Sequence, residues 1–338
     1  MKRKLIITAF VAFAALLSAV AVGSVFVPPG DIFRIILYRT LGIGSLEGIS
    51  TGNAAIIWSM RLPRALLAFV VGAALSVSGA IMQSVLRNPL ASSFTLGVSS
   101  GASLGAALVL FTGFSLLPNL TLPMAGFVLG MGTMVFAVAF ASRVDGMMTN
   151  NTIVLMGMVI SLFINAITTL LMAVQRESIQ RLVFWQMGSF SMRGWQALAI
   201  LTPVAAFGIL IALRYHKELD IMTFGEDQAR TMGINLKRTK WVLLLVAAAL
   251  TGSSIAFVGI IGFIDLVAPH VVRKVFGSRH VAIIPLSAIL GGSFMVLADL
   301  AARTITPPAE LPIGVITALI GAPFFAYIYF MGRRRPNA

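Results

Sequence analysis

The 338-residue chain contains no cysteine, so it has neither a disulfide framework nor a thiolate metal site. No glycine is followed by lysine. That removes the Gly-x-x-x-x-Gly-Lys-Ser/Thr loop, and with it the means of cradling ATP within this chain. Charge is scarce and one-sided: 11 acidic residues stand against 25 basic ones. The three histidines, His216, His270 and His280, do not share helical spacing on one segment. No metal site and no serine–histidine–acid arrangement is expected.

What is abundant is apolar. Hydrophobic residues make up 58% of the chain and the mean hydropathy is +0.97, more than a soluble domain of this length could hide. A helix needs roughly 20 apolar residues to cross a bilayer, and lipid tolerates only helices or closed barrels. Barrel strands would alternate in polarity over about ten residues, whereas the runs here are continuous. The expected fold class is an all-α membrane protein, one transmembrane domain over 1–338. About ten helices are expected, at 5–27, 60–84, 92–112, 120–142, 151–174, 194–213, 238–260, 262–276, 282–301 and 311–331. The first run, Leu5 to Val27 behind Lys2-Arg3-Lys4, exceeds a signal-peptide core and is read as an uncleaved span.

With the amino terminus inside, 17 of the 25 basic residues fall on inner segments and 8 on outer ones. That bias places both termini in the cytoplasm. It also assigns the +14 net charge to cytoplasmic loops rather than to nucleic acid. The outer basic residues are all arginine, whose planar fork grips carboxylates bidentately.

A weak inverted repeat is visible. Residues 72–90 and 247–270 are both small-residue helices leading into a proline-broken segment, and they run in opposite directions across the membrane. Inverted repeats with broken helices mark transporters. An ionisable group inside such a segment, Asp265, is a functional candidate by default, with Arg273 or a water-filled cavity as its partner.

Three polar stretches stand out. Arg61-Leu62-Pro63-Arg64 reads as the start of the second helix, since proline suits a first helical turn. Two cations there oppose the helix dipole and call for an external carboxylate. The inner loop from about 214 to 237 contains Gly225, Glu226, Ala229 and Gly233, which fit a short amphipathic helix ended by glycine. The outer turn 299–314 sets Asp299 and Glu310 on either side of Arg303.

Through these stretches the chain resembles the FecCD-type permease family of ABC importers for iron–siderophore, haem and cobalamin. The matching strings are "RLPRALLAFVVGAALSVSGAIMQSVLRNPLASSFTLGVSSGA", "LVFWQMGSF", "GEDQARTMGI", "GFIDLVAPHVVR" and "AELPIGVITALIGAPFF". The resemblance implies a non-enzymatic permease subunit in the cell membrane, acting by alternating access. It implies a homodimer, two separate cytoplasmic ATPase subunits that hold ATP and Mg, and an extracytoplasmic substrate-binding protein; no cofactor is implied in this chain. By position, Arg61, Arg64 and Arg303 would grip glutamates of the binding protein. Gly225, Glu226, Ala229 and Gly233 would form the coupling helix on the ATPase. Asn88, Pro89, Leu90, Asn150 and Asn151 would lie near the cytoplasmic gate. The substrate class implied is an iron–siderophore, with haem or cobalamin as alternatives. An ion-coupled secondary transporter is the rival class, and Asp265, which stands where the family usually has glycine, would serve it.

Overall fold

The computed structural model describes residues 2–23 and 27–333, and among them there are helices and turns but no strand. The basic run expected to close the chain falls partly outside: Arg334 and Arg335 are not among the described residues. Helix α1 is Lys2–Ala21; residues 24–26 of its expected apolar run also lie outside the described residues. Next come α2 (Pro29–Leu41), α3 (Thr51–Ala55), a π-helical stretch (Ile56–Arg61) and α4 (Leu62–Val85). Then follow α5 (Val98–Thr112), α6 (Thr121–Val144), α7 (Asn150–Val174), α8 (Ile179–Met187) and α9 (Gly194–Arg214). The short helices α10 (His216–Met222) and α11 (Glu226–Thr231) precede α12 (Leu236–Val258), α13 (Ile264–Phe276), α14 (His280–Thr304) and α15 (Ile313–Arg333).

The ten expected spans correspond to α1, α4, α5, α6, α7, α9, α12, α13, α14 and α15. Among the described residues, six helical stretches are long and apolar enough to cross a membrane. Helices α2, α8 and α10 were not expected, because each is too short and too polar to register as a span.

The start of the second span differs from expectation for a specific physical reason. Thr51 to Val85 is one helical run of 35 residues, capped by Ser50, whose hydroxyl accepts the Asn53 N–H at 3.1 Å. Arg61-Leu-Pro-Arg64 therefore lies inside the helix, not at its amino-terminal end, and the argument from the helix dipole does not apply to it. A proline inside a helix removes a donor. Here the backbone opens into π register, with the Leu62 N–H reaching the Ile57 carbonyl five residues back. In that register the Trp58 carbonyl faces Pro63, which has no N–H to give. The indole N–H of Trp195 on α9 donates to it instead, at 2.9 Å, and the two tryptophan rings pack at 5.0 Å between centroids.

Helix α4 is the hub. It packs on α14, α12, α9, α13 and α1, and 83% of its apolar window is buried, against 17% for α7. Small residues permit this, as they do generally between membrane helices. A Cβ on Gly72 or on Gly291 of α14 would run into the other's carbonyl oxygen. Polar side chains then pin α4 to α12. The Ser78 hydroxyl donates to the Ala247 carbonyl at 2.9 Å, accepts from Thr251 at 2.7 Å and pairs with Ser93 at 2.7 Å.

These two helices are the small-residue halves of the inverted repeat, and each ends in a break. After α4, residues 86–97 form turns closed by Gly97 at φ +89°, so the third span begins at Val98 rather than residue 92. After α12, Gly259 and Phe263 take φ +81° and +70° before α13 begins.

Candidate functional site

Helix α4 has 24 residues, about 36 Å at roughly 1.5 Å per residue, so Arg64 near its start and Arg87 beyond its end mark opposite poles.

At the first pole the three sequence-selected arginines converge, but inward. Arg61 is buried, 6% exposed, and its Nη1 donates to the Val20 and Ala21 carbonyls at 3.2 Å each. Arg303 donates to the Val22 carbonyl at 3.0 Å and to that of Ala19. Two guanidiniums thus satisfy the carbonyls at the end of α1, where the last turn has no donors of its own and the helix dipole favours cations. Arg64 grips Asp299 of α14 through Nε at 3.0 Å and Nη2 at 2.8 Å. It also holds Glu310 in a fork, Nη1 to Oε1 at 2.8 Å and Nη2 to Oε2 at 3.1 Å. Asp299 also lies 3.7 Å from Arg303 Nε. The expectation of three arginine forks facing outward is corrected: each guanidinium is bonded within the chain, Arg303 through Nη1 and Nη2 but not Nε, and Glu310 is the most exposed member of the Arg64 cluster. The bonds from Arg64 hold the Glu310 carboxyl below its ordinary value.

The opposite pole carries the other sequence-selected groups. Gly225, at φ +129°, leads into α11. Ala229 is fully buried. Gly233, at φ +82°, ends the helix in a Schellman-type turn: its N–H meets the Arg230 carbonyl at 2.9 Å and that of Ile234 meets Ala229 at 3.0 Å. Phe224 and Met232, 71% and 66% exposed, flank α11. Asn88, beyond α4, folds its own turn by accepting the Leu90 N–H at 2.9 Å, with Pro89 between them. Asn88, Asn150 and Asn151, with Arg87, Leu155 and Met158, line a cavity of about 550 Å³.

Lys240 was not singled out from sequence as a site residue. It is wholly buried, and its ammonium donates to Glu226 Oε1 at 2.7 Å, the Met148 carbonyl at 2.7 Å and Asn150 Oδ1 at 2.9 Å. Nothing in the sequence distinguished it, because Lys237 and Arg238 precede it at the start of α12. Asp145 shapes the neighbouring turn, accepting from the N–H groups of Met147 at 3.0 Å and Thr149 at 2.9 Å. Bonding to Thr149, then Met147, pulls its carboxyl down to about 2.

Asp265 is 2% exposed, so its carboxylate does not reach the surface. Arg273 is not its hydrogen-bond partner. That guanidinium bonds Gln83, the Ala80 carbonyl at 3.3 Å and Ser84 at 2.9 Å, while the Asp265 carboxylate accepts from Ser92. Ser92 lies in the broken segment after α4, so this bond ties the breaks of the two repeat halves together. Asp265→Asn keeps an acceptor for Ser92, whereas Asp265→Ala leaves the proton of a buried hydroxyl without an acceptor, its oxygen still accepting the Phe94 N–H at 3.1 Å, and is expected to cost about 1–3 kcal/mol. Thermal denaturation of the two variants reads the difference, and equal losses would show that the Ser92 bond is not what holds the segment.

The structure also contains a serine–histidine–acid line, contrary to expectation. Ser84 Oγ lies 2.6 Å from His280 Nε2, and His280 Nδ1 lies 2.6 Å from Asp220 Oδ1. Ser84 and His280 are both buried, and the Ser84 hydroxyl is already bonded to the Ala80 carbonyl at 2.8 Å and to Arg273. The line ties α10 to α4, α13 and α14.

Residues 10–331 match the model of the FecCD transport family. The ABC transporter permease YvrB of Bacillus subtilis is 40% identical over 322 residues, covering 95% of this chain and 91% of that relative. The Fe(3+) dicitrate transport system permease FecD of Escherichia coli K12 is 38% identical, covering 81% and 84%. The hemin transport system permease HmuU of Yersinia pestis is 35% identical, covering 88% and 90%. A solved structure described as an inward-facing conformation of a metal-chelate type ABC transporter superposes with a TM-score of 0.85 at 27% identity, covering 98% of this chain and all of that one.

Proposed function

The chain belongs to the FecCD transport family, and from that we propose that it is the membrane-spanning subunit of an importer that moves an iron–siderophore into the cytoplasm by alternating access. The membership makes it a multi-pass ABC importer permease of the metal-chelate class. Relatives named for ferric citrate support iron; others are named for haem, cobalamin and molybdate. Two copies of the chain would enclose the path, two ATPase subunits would sit at the α11 pole, and a binding protein would deliver substrate at the arginine pole. Both termini would then be cytoplasmic.

The observation that carries this reading is α11. Its short helix stands at a charged pole with Phe224 and Met232 exposed beside it, while its carboxylate is fastened to a buried lysine. Exposed apolar anchors around a rigid element suit a protein partner. Phe224→Asp together with Met232→Asp is expected to weaken ATPase binding on the order of 30-fold, measured with purified subunits in detergent. Unchanged affinity would remove α11 from the interface.

At the other pole, docking of a binding-protein carboxylate would meet Arg64 where Glu310 now holds it. Glu310→Gln is therefore expected to tighten docking, measured at low salt where interfacial charge matters most. Weaker docking would show that Glu310 is itself a contact.

Transport is tested in proteoliposomes holding this chain, the ATPase and the binding protein, with radioactive ferric siderophores compared against haem and cobalamin. ATP-dependent iron uptake is expected. Uptake driven by a proton gradient without ATP would instead establish a secondary transporter.

A further inference from the structure

We propose that Lys240 is a positioning residue that links the coupling helix α11 to the inner end of the permeation path. The proposal rests on the reading of α11 as the ATPase-facing element.

An ammonium has three donors and no acceptor. Lys240 uses all three, and the three acceptors belong to two separate pieces of structure, α11 and the turn that leads into α7. Glu226 opens α11, Met148 ends the turn before α7, and Asn150 is the first residue of α7. The side chain is fully buried, so removing any acceptor leaves part of a buried charge uncompensated, which is strongly unfavourable. The three acceptors are therefore held as a unit. Met148 supports this: it is buried and sits at φ +52°, a conformation that side chains other than glycine rarely adopt, with its carbonyl aimed at the ammonium. Asp145 braces that turn from outside.

The unit reaches the cavity directly. Asn150 and its neighbour Asn151 line it, together with Arg87 and Asn88 from the segment after α4. Arg87 also lies beside Gly225 at the start of α11. A shift of α11 pulls on Glu226, then on Lys240, and so on the first turn of α7. Lysine suits this linkage because its charge sits on a flexible stem that follows its acceptors, where an arginine fork would demand fixed planar geometry.

The chain has no cysteine, so one environment-sensitive dye placed at Leu155→Cys, which lines the cavity, reports its state without knowledge of the substrate. The permease–ATPase complex is reconstituted in nanodiscs, and the dye signal on adding ATP and Mg is recorded beside ATPase affinity and ATP hydrolysis. With Glu226→Gln, which keeps the side chain's size and removes its charge, the dye is read at ATPase concentrations that saturate the complex, and the ATP-driven signal per bound complex is expected to fall about five-fold or more. Asn150→Ala, remote from the ATPase, is expected to do the same. The double variant is expected to be no worse than either single one, because both act through Lys240.

An undiminished signal with the ATPase bound, or two independent multiplying losses, overturns the relay. If Glu226→Gln prevents assembly, Asn150→Ala alone decides by the same readout. Failure of the underlying reading looks different: ATPase affinity would then be indifferent to Phe224→Asp with Met232→Asp.

Discussion

Asp299→Ala is expected to destabilise the protein by about 3–5 kcal/mol, the usual penalty for stripping one partner from a buried ion pair. The carboxylate is almost fully buried and is held by Arg64, with Arg303 3.7 Å away. Alanine there would leave two guanidiniums facing each other with only the half-exposed Glu310 nearby. Arg303 also holds the end of α1, so the loss would spread to the α1–α14 contact. Thermal unfolding of the purified protein in detergent reads this directly, and a midpoint equal to that of the unsubstituted chain would refute it.

The same geometry changes what a charge reversal at Arg61 and Arg64 would mean. Read from sequence, that substitution should abolish docking and leave the fold alone. In the structure it would place carboxylates against the α1 carbonyls and against Asp299, and unfold the pole. The partner's contribution is better probed at Glu310, whose exposed pair with Arg64 contributes no more than about 1 kcal/mol. Its pH dependence has a defined sign. A carboxyl held below its ordinary value contributes stability that is complete above that value and is lost as pH falls through the lowered one. The Arg64–Glu310 fork is therefore expected to persist at neutral pH and to open only in acid below the usual glutamate range.

Spans were legible because twenty apolar residues in succession have few other uses. Helices α2, α8 and α10 were not, because short amphipathic segments with charges resemble loops. The true start of the second span carried a signal, Ser50 before Thr51-Gly52-Asn53, but a proline flanked by arginines resembled a helix start more strongly. Only the π register reconciles Pro63 with a continuous helix, and that register depends on Trp195, which lies on another helix. Among the site residues, the RLPR and GEDQAR strings were visible as strings. Their pairings were not: Arg64 and Asp299 lie 235 positions apart, and Lys240 looked like one more basic residue of the inner loop. Asp265 stood out as an ionisable group in an apolar segment, yet its bond to Ser92 follows only from how the two repeat halves fold against each other.

Glycines make the same point, and they give the second large effect. Gly79 and Gly132 both stand in small-residue rows of membrane helices and look equivalent in sequence. A Cβ on Gly79 would fall on the backbone carbonyl of Asp265, whereas one on Gly132 meets nothing within 4 Å. Overpacking a core commonly costs about 1–3 kcal/mol, occasionally more, and the obstacle at Gly79 is backbone, which cannot rotate aside. Gly79→Leu would drive α4 away from α13. It would also break the bonds from Gln83 Nε2 to the Asp265 and Leu266 carbonyls at 3.3 and 3.2 Å, and with them the register between the two broken segments. Gly79→Leu is therefore expected to yield little folded protein on size-exclusion chromatography and no transport. Gly132→Leu, with open space around it, is expected to express and transport normally, since exchanging glycine for a better helix former in open space favours the helix by up to about 1 kcal/mol. Equal behaviour of the two variants would mean that α4 and α13 do not approach as closely as the structure places them.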